Sequence, residues 1–258
     1  MNKVTANFEN QTVHVGLDVH KRGWNAAIFL GEFYVRNIHQ PPNPQSLHHF
    51  LVTHYPGARY RCAYESGKFG FWIQRHFSQL GVDCLVVNPA DIPSTHKDEV
   101  YKTDSRDARG IGQALSSGLL KSIFVPAQHQ EADRQLVRQR KKLWSDLVRC
   151  KNRIKAFLDY LGIEVPSRFD NSNWSLNFLK WLRQLEFEHA SSRVTLNYML
   201  DELELLRKQM LSICNTVRKL MRSKKYSKLY YLLRTVPGIG PLTAASLITE
   251  IGDINRFK

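Results

Sequence analysis

Val13-His14-Val15-Gly16-Leu17-Asp18-Val19 alternates strictly. Val13, Val15, Leu17 and Val19 fall on one face and His14, Gly16 and Asp18 on the other, which is the period of a β-strand. Asp18 then projects from the face opposite the apolar side chains. Downstream, Lys21-Arg22-Gly23 turns the chain, and Trp24 to Leu30 followed by Glu32 to Ile38 predicts two more strands of an antiparallel meander. Pro41, Pro42 and Pro44 are expected to end it. Ser46 to Tyr55 has the Leu47, Phe50, Leu51, His54 spacing of an amphipathic helix, stopped by Pro56-Gly57. A strand from Ala58 to Tyr64 would deliver Glu65 to its C-terminal end, just before Ser66-Gly67, where α/β sheets commonly place working residues. Phe69 to Leu80 predicts a helix with an aromatic-rich face closed by Gly81, and Val82 to Val87 a buried parallel strand. This succession is that of an α/β domain.

Asn88 to Lys102 is a polar loop containing Pro89 and Pro93, long enough to be functional. It leads into Tyr101-Lys102-Thr103-Asp104-Ser105-Arg106-Asp107-Ala108-Arg109, the predicted start of a helix running through Ile111, Ala114 and Leu115 to a stop at Gly118. Asp104 and Asp107, three residues apart, should share a face. Two readings are open. They cap the helix at its Ncap and N3 positions, or they hold a cation.

Beyond Pro126 the character changes to long helices. Leu136, Leu143, Leu147, Cys150, Ile154, Phe157 and Leu161 fit a heptad-like seam, and Arg134 to Lys155 carries nine Lys/Arg against the single acid Asp146. Gly162 to Asn173, with Pro166, breaks the pattern, and Trp174 to Leu185 is a further short helix. Leu196, Met199, Leu203, Leu206, Met210, Ile213, Val217 and Leu220 then step by three and four as a coiled-coil seam. Its C-terminal end is basic, with Arg218, Lys219, Arg222, Lys224, Lys225, Lys228 and Arg234 and no acid between Arg218 and Arg234. Val236-Pro237-Gly238-Ile239-Gly240-Pro241 has the form of a helix-hairpin-helix turn whose glycines admit a phosphate to backbone N–H groups.

An excess of 37 Lys+Arg over 23 Asp+Glu gives a net charge of +14, the electrostatic footprint of a nucleic-acid binder. A membrane-surface protein is the lesser reading, because no apolar run approaches the roughly 18–20 residues of a bilayer span and residues 1–11 lack a signal-peptide apolar core. A cytoplasmic protein is expected. Cys62, Cys84, Cys150 and Cys214 are scattered and fit neither a metal motif nor a disulfide framework, so they read as reduced, mostly buried thiols.

Singly, each acid has a bland explanation: Asp18 as a solvated strand residue, Glu65 as a partner for Lys68 or Arg61, the Asp104/Asp107 pair as a cap. Together, a strand Asp, a strand-end Glu and a helical Asp pair are the pieces of an RNase-H-like metal site. Hard cations such as Mg²⁺ need several oxygen ligands, and clustered carboxylates are costly to bury without one. Two such ions about 3.5–4 Å apart serve phosphodiester chemistry. Gly110-x-Gly112 and Gly238-x-Gly240 are not dinucleotide fingerprints. His48-His49, His14 and His20 lack a companion ligand at metal spacing and read as solvated or hydrogen-bonded. Phe69, Phe71, Trp72 and Phe77 read as core, while Tyr230-Tyr231 amid basic residues could stack on a nucleotide.

Val15-Gly16-Leu17-Asp18-Val19-His20-Lys21, Tyr64-Glu65-Ser66-Gly67, Lys102-Thr103-Asp104-Ser105-Arg106-Asp107-Ala108 and Val236-Pro237-Gly238-Ile239-Gly240 together resemble the DEDD-type insertion-sequence transposases of the IS110 family and the related pilin-gene invertases. The four motifs occur in the family's order over nearly the whole chain. The resemblance implies a RuvC-like (RNase H-like) α/β domain over residues 1–125, a helical coiled-coil region over 126–234 that mediates assembly as a dimer or tetramer, and the start of a helix-hairpin-helix transposase domain over 235–258. It implies that Asp18, Glu65, Asp104 and Asp107 are the catalytic DEDD tetrad binding Mg²⁺, or Mn²⁺. It implies recombination of donor and target DNA guided by a structured bridge RNA, in the nucleoid of a bacterial or archaeal cell. Lys21, Arg138, Lys141, Lys142, Arg149, Arg153, Arg222, Lys224, Lys225, Gly238 and Gly240 are the expected nucleic-acid contacts. The family's serine nucleophile lies further downstream and is expected to fall beyond Lys258, with Ser246 structural. Two other readings compete with the recombinase: a non-enzymatic nucleic-acid-binding scaffold and a stand-alone RuvC-like junction nuclease.

Overall fold

A computed structural model describes residues 8–93, 103–169 and 174–257. Most of the polar loop expected over residues 88–102, with Tyr101 and Lys102, lies outside the described residues, as do residues 170–173 of the second break. The chain divides into two compact units, residues 1–125 and 126–258.

The first unit is built on a five-stranded sheet of β1 (Thr12–Val19), β2 (Trp24–Leu30), β3 (Phe33–Gln40), β4 (Arg59–Glu65) and β5 (Asp83–Val87), in the order β3-β2-β1-β4-β5. The meander pairs antiparallel, Val15 opposite Ile28 and Ala27 opposite Asn37. β4 and β5 join on the other side of β1 in parallel, Val15 opposite Cys62 and Cys62 opposite Cys84. Short turns suffice for the first kind of pairing and helical crossovers are needed for the second. The central β1 is covered on both faces. Val13, Val15 and Leu17 are buried with residues of α1 (Pro44–His54) and α2 (Trp72–Gln79), notably Leu47, Leu51, Ile73 and Phe77. The opposite face takes α3 (Asp104–Ser116), whose Ala108 is buried with Ala27 and Phe29, and whose Ile111 and Leu115 are buried with Ala63, Leu85 and Val87.

Two helix starts in the first unit differ from expectation, and both differences have local causes. Pro44 opens α1 instead of closing the meander: its missing N–H costs nothing at the first helical position, and the Asn43 side chain accepts a hydrogen bond from the Gln45 N–H at 2.9 Å. α2 begins at Trp72, later than the expected Phe69, because Gly70 has φ +63°, a left-handed conformation no α-helix accommodates.

The second unit is helical: α4 (Gln128–Tyr160), α5 (Leu176–Gln184), α6 (Ala190–Met221), α7 (Ser227–Leu233) and α8 (Pro241–Ile251). α4 and α6 run antiparallel. Leu147, Cys150, Ile154 and Leu158 are buried with Leu196, Leu200, Leu203 and Leu206, whereas Val137 is buried with Val217 and Met221 at the other end. Trp174, Phe178, Leu179 and Leu182 close the first cluster, and Tyr226, Tyr230, Ala244, Ala245 and Ile248 close the second. At about 1.5–3 kcal/mol for each fully buried large side chain, this packing rather than intrinsic propensity holds the long helices.

The α6 stripe therefore meets α4 of its own chain. Its buried set is also wider than the expected seam, including Leu200, Cys214 and Met221 while Met199, Ile213 and Leu220 are only partly covered. On α4, Leu158 takes the buried place and Leu161 is exposed. A straight helix drifts from a seven-residue repeat by about 20° per heptad, so a heptad count loses the buried face toward its ends.

Candidate metal centre

The β1–β4 register pairs Leu17 with Tyr64, so the next residues, Asp18 and Glu65, stand at the C-terminal ends of neighbouring parallel strands. α3 brings the remaining acids to that edge. It can approach because Gly16 of β1 has no side chain: a Cβ there would lie 2.1 Å from the Ala108 carbonyl oxygen and 2.2 Å from the Gly112 nitrogen. Gly112 packs under the Phe29 ring, where its own Cβ would meet Cε2 at 2.6 Å. Two glycines thus set strand backbone against helix backbone. Asn37 of β3 donates to the Ser105 side-chain oxygen at 2.5 Å and to the Ser105 carbonyl at 3.2 Å, tying the first turn of α3 to the sheet.

The residue that caps α3 is Thr103, whose side chain accepts from the Arg106 N–H at 3.4 Å. Asp104 and Asp107 therefore occupy the first and fourth helical positions, and the expectation that they sit at Ncap and N3 is corrected. The helix dipole still favours them there.

Asp18, His20 and Asp104 each present a ligand atom within 4.8 Å of the others. A cavity of about 210 Å³ is lined by Asp18, His20, Glu65, Ser66, Lys68 and Asp107 among others; Asp104 is exposed and stands outside that lining. Burial pushes the Asp18 carboxyl up to about 6; His20 opposes this, and the neighbouring Asp104, Asp107 and Glu65 charges reinforce it. All four acids named by the sequence thus act on one place. The Oδ2 atom of Asp18 is buried without a hydrogen bond, although His20 Nδ1 lies 3.2 Å away: the two atoms are close but not aligned as donor and acceptor. Arg61 turns instead to Asp83, at 2.7 Å. An orphaned carboxylate oxygen, a set of oxygen donors at one edge and one adjacent imidazole form a donor set that fits a divalent cation.

His20 is the residue that sequence reasoning set aside. Its companions come from its own strand end and from a helix more than eighty residues away, a proximity that motif spacing does not display. His14 is hydrogen-bonded as expected, its Nδ1 3.2 Å from the Gly31 carbonyl, with burial lowering its pKa. All four cysteines are free and buried.

The expected nucleic-acid contacts fall into two groups. Lys21, Lys141, Lys142, Arg222 and Lys224 are exposed. Four others are paired with acids of the same unit. Arg138 makes a bidentate pair with Glu250, both distances 2.7 Å; Arg153 meets Glu202 at 2.6 Å; Lys225 meets Asp133 at 2.5 Å; and Arg149 pairs with Asp146. Gly238, with φ +86°, is exposed, and Gly240 is the residue before Pro241 at the start of α8. Ser246 is an exposed residue of α8. Tyr230 is buried and unavailable for stacking, which corrects that expectation; Tyr231 beside it is about half exposed. No helix among the described residues is long and apolar enough to cross a membrane.

The sequence has relatives among insertion-sequence transposases. It is 27% identical to the transposase of insertion sequence element IS1533 from Leptospira borgpetersenii over 95% of this chain and 71% of that protein. It is 28% identical to the IS1328 transposase of Yersinia enterocolitica over 76% of this chain and 56% of that one. It is 29% identical to the y4qE protein of Sinorhizobium fredii over 76% of this chain and 46% of that one. The chain thus spans between about half and about seven-tenths of their lengths. Residues 230–258 match the model of the IS116/IS110/IS902 transposase family. Residues 15–163, more than half the chain and including all four acids, match the DEDD transposase model of IS110, and the chain belongs to that family of transposases.

Proposed function

We propose that this chain carries the metal-binding centre and a nucleic-acid-binding surface of a DNA recombinase that cleaves and exchanges strands between donor and target. The observation that carries this reading is the convergence of Asp18, Glu65, Asp104 and Asp107 on one sheet edge, where Asp18 keeps a buried oxygen without a hydrogen bond. Asp18 and Asp104 would share one Mg²⁺ or Mn²⁺, and Glu65 and Asp107, lining the cavity beside Asp18, would complete the tetrad. Divalent ions held there supply Lewis-acid charge to a phosphodiester and lower the pKa of an attacking oxygen. The chain's own residues do the rest. Asp18, once ionised, would hold the ion together with Asp104; exposed Lys68 on the cavity wall would neutralise a phosphate oxygen; and the close Gly16–Gly112 contact sets the helical pair against the strand pair.

The exposed Lys141, Lys142, Arg222 and Lys224 of the second unit, in a chain of net charge +14, supply phosphate contacts for DNA and for a guide RNA. Val194, Tyr198 and Leu205 form an exposed apolar row on α6, spaced by four and seven residues, which supports a coiled-coil contact between copies. The turn at Gly238 to Gly240 supports a helix-hairpin-helix role toward a phosphate backbone.

The test is Asp104→Ala with Asp107→Ala in a full-length protein. Mg²⁺-dependent strand cleavage should disappear while the fold, followed by circular dichroism, is retained. Undiminished cleavage would remove the metal assignment.

A further inference from the structure

We infer that His20 is a direct metal ligand, so that the first cation of this site is held by one imidazole nitrogen together with Asp18 and Asp104. The inference rests on the metal-binding reading above and goes beyond its four carboxylates. Its geometric basis is the relation between His20 Nδ1 and Asp18 Oδ2. They are 3.2 Å apart, yet Oδ2 is buried and has no hydrogen bond. A His–Asp pair that serves only as an ion pair aligns its N–H with the carboxylate. Two adjacent ligands of one octahedral cation do not align with each other; they converge on a common point. With ligand distances of about 2.0–2.1 Å, adjacent ligands of such an ion are separated by about 3 Å. The His20–Asp18 spacing of 3.2 Å is close to that value, and Asp18, His20 and Asp104 each offer a ligand atom within 4.8 Å of the others'.

The local chain explains why His20 is there. β1 ends at Val19, and the antiparallel partner β2 begins only at Trp24, so residues 20–23 form the connection directly above the strand end. The imidazole is half exposed and can turn without disturbing the core, whereas Asp18 is fixed by burial. Nothing in the sheet requires a histidine at that point.

The consequence is metal preference. Carboxylate and water ligands suit Mg²⁺, whereas an imidazole adds affinity for softer divalent ions, and Mn²⁺ accepts both kinds of donor. This site should therefore hold Mn²⁺ more tightly than Mg²⁺ by a margin that depends on His20.

The experiment uses the whole chain, stripped with chelator and reloaded with one equivalent of Mn²⁺. Pulsed electron paramagnetic resonance should show a directly bound nitrogen, and labelling histidine with ¹⁵N should convert that signal to the ¹⁵N pattern. His20→Gln should abolish the nitrogen coupling and weaken Mn²⁺ by at least about tenfold, with a smaller change for Mg²⁺. Bound Mn²⁺ without histidine nitrogen coupling in the unsubstituted protein would overturn the role of His20 while leaving the carboxylate site standing. A coupling that persists in His20→Gln would overturn it equally. Absence of Mn²⁺ binding, or binding indifferent to Asp104→Ala, would overturn the metal reading and this inference with it. The isotope arm needs no substitution, so it stands even where a variant fails to fold.

Discussion

Replacing Gly16 by Ala asks whether the acidic cluster depends on direct contact between strand and helix backbones. The new Cβ would be placed 2.1 Å from the Ala108 carbonyl oxygen and 2.2 Å from the Gly112 nitrogen, where ordinary contacts begin near 3.4 Å. Both obstacles are backbone, so no rotamer change relieves them. α3 must lift from the sheet by about an ångström, loosening the packing of Ala108, Ile111 and Leu115, all of which are buried. Overpacking of this kind costs about 1–3 kcal/mol or more, and the partial loss of three core contacts adds to it. We expect about 3 kcal/mol, read as a fall of about 1–2 M in the urea midpoint of the first unit's transition. Two glycines in α3 are controls. At Gly112 a Cβ would meet the buried Phe29 ring at 2.6 Å and backbone only at 3.2 Å, the Gly16 nitrogen, so Gly112→Ala should cost less. At Gly110 a Cβ meets nothing within 4 Å, so Gly110→Ala should stabilise the helix by about 0.5–1 kcal/mol. The same Gly16 variant should bind Mn²⁺ more weakly, since Asp104 and Asp107 move with α3 while Asp18 stays with β1. A Gly16→Ala protein with an unchanged midpoint and unchanged Mn²⁺ affinity would refute the reasoning.

Three further outcomes follow from the geometry. Because the Asp18 pKa is raised to about 6 when folded, the stability linked to its proton is present below its ordinary value near 3.8 and is lost as pH rises through about 6; in metal-free protein Asp18→Asn should flatten the decline of the urea midpoint over that window. Mn²⁺ affinity should run the other way, rising with pH as Asp18 loses its proton, and calorimetry in buffers of different ionisation enthalpy should detect the released proton. In the second unit, Arg134 is mostly buried and donates to the Thr249 carbonyl at 2.9 Å near the end of α8, whereas the Arg138–Glu250 pair is largely exposed. Arg134→Ala should therefore cost about 1–2 kcal/mol in thermal or urea unfolding, and more than Glu250→Ala; equal losses would contradict the distinction. For nucleic acid, Lys141→Ala with Lys142→Ala should reduce the salt dependence of DNA or RNA binding by about two phosphate contacts, while Arg153→Ala, which removes a cation already paired with Glu202, should change the slope less.

The elements that bear the acids were legible because their signals are local. Alternation marks β1, the Ser66-Gly67 break marks the end of β4, and Gly118 marks the end of α3. What the sequence hides is proximity across long separations. Asp104 and Asp107 look like caps until Thr103 is seen to do the capping. Gly112 belongs to no motif in the sequence, and only the fold sets the backbone of β1 against it. His20 looks solitary until Asp104 arrives beside it. The basic count over Arg134 to Lys155 is real, yet it cannot separate cations bound to Glu250 and Glu202 from those left to solvent, because the partners lie on other helices. The α6 stripe marks the buried face of a helix, and what covers that face is α4 of the same chain.

The length of that pair has a meaning of its own. With 33 residues in α4 and 32 in α6, each rising about 1.5 Å per residue, the two helices form a strut of about 50 Å. Measured against duplex DNA, whose turn is about 34 Å, that is roughly one and a half turns. Shortening both helices by seven residues would take about 10 Å from that length, about a third of a duplex turn.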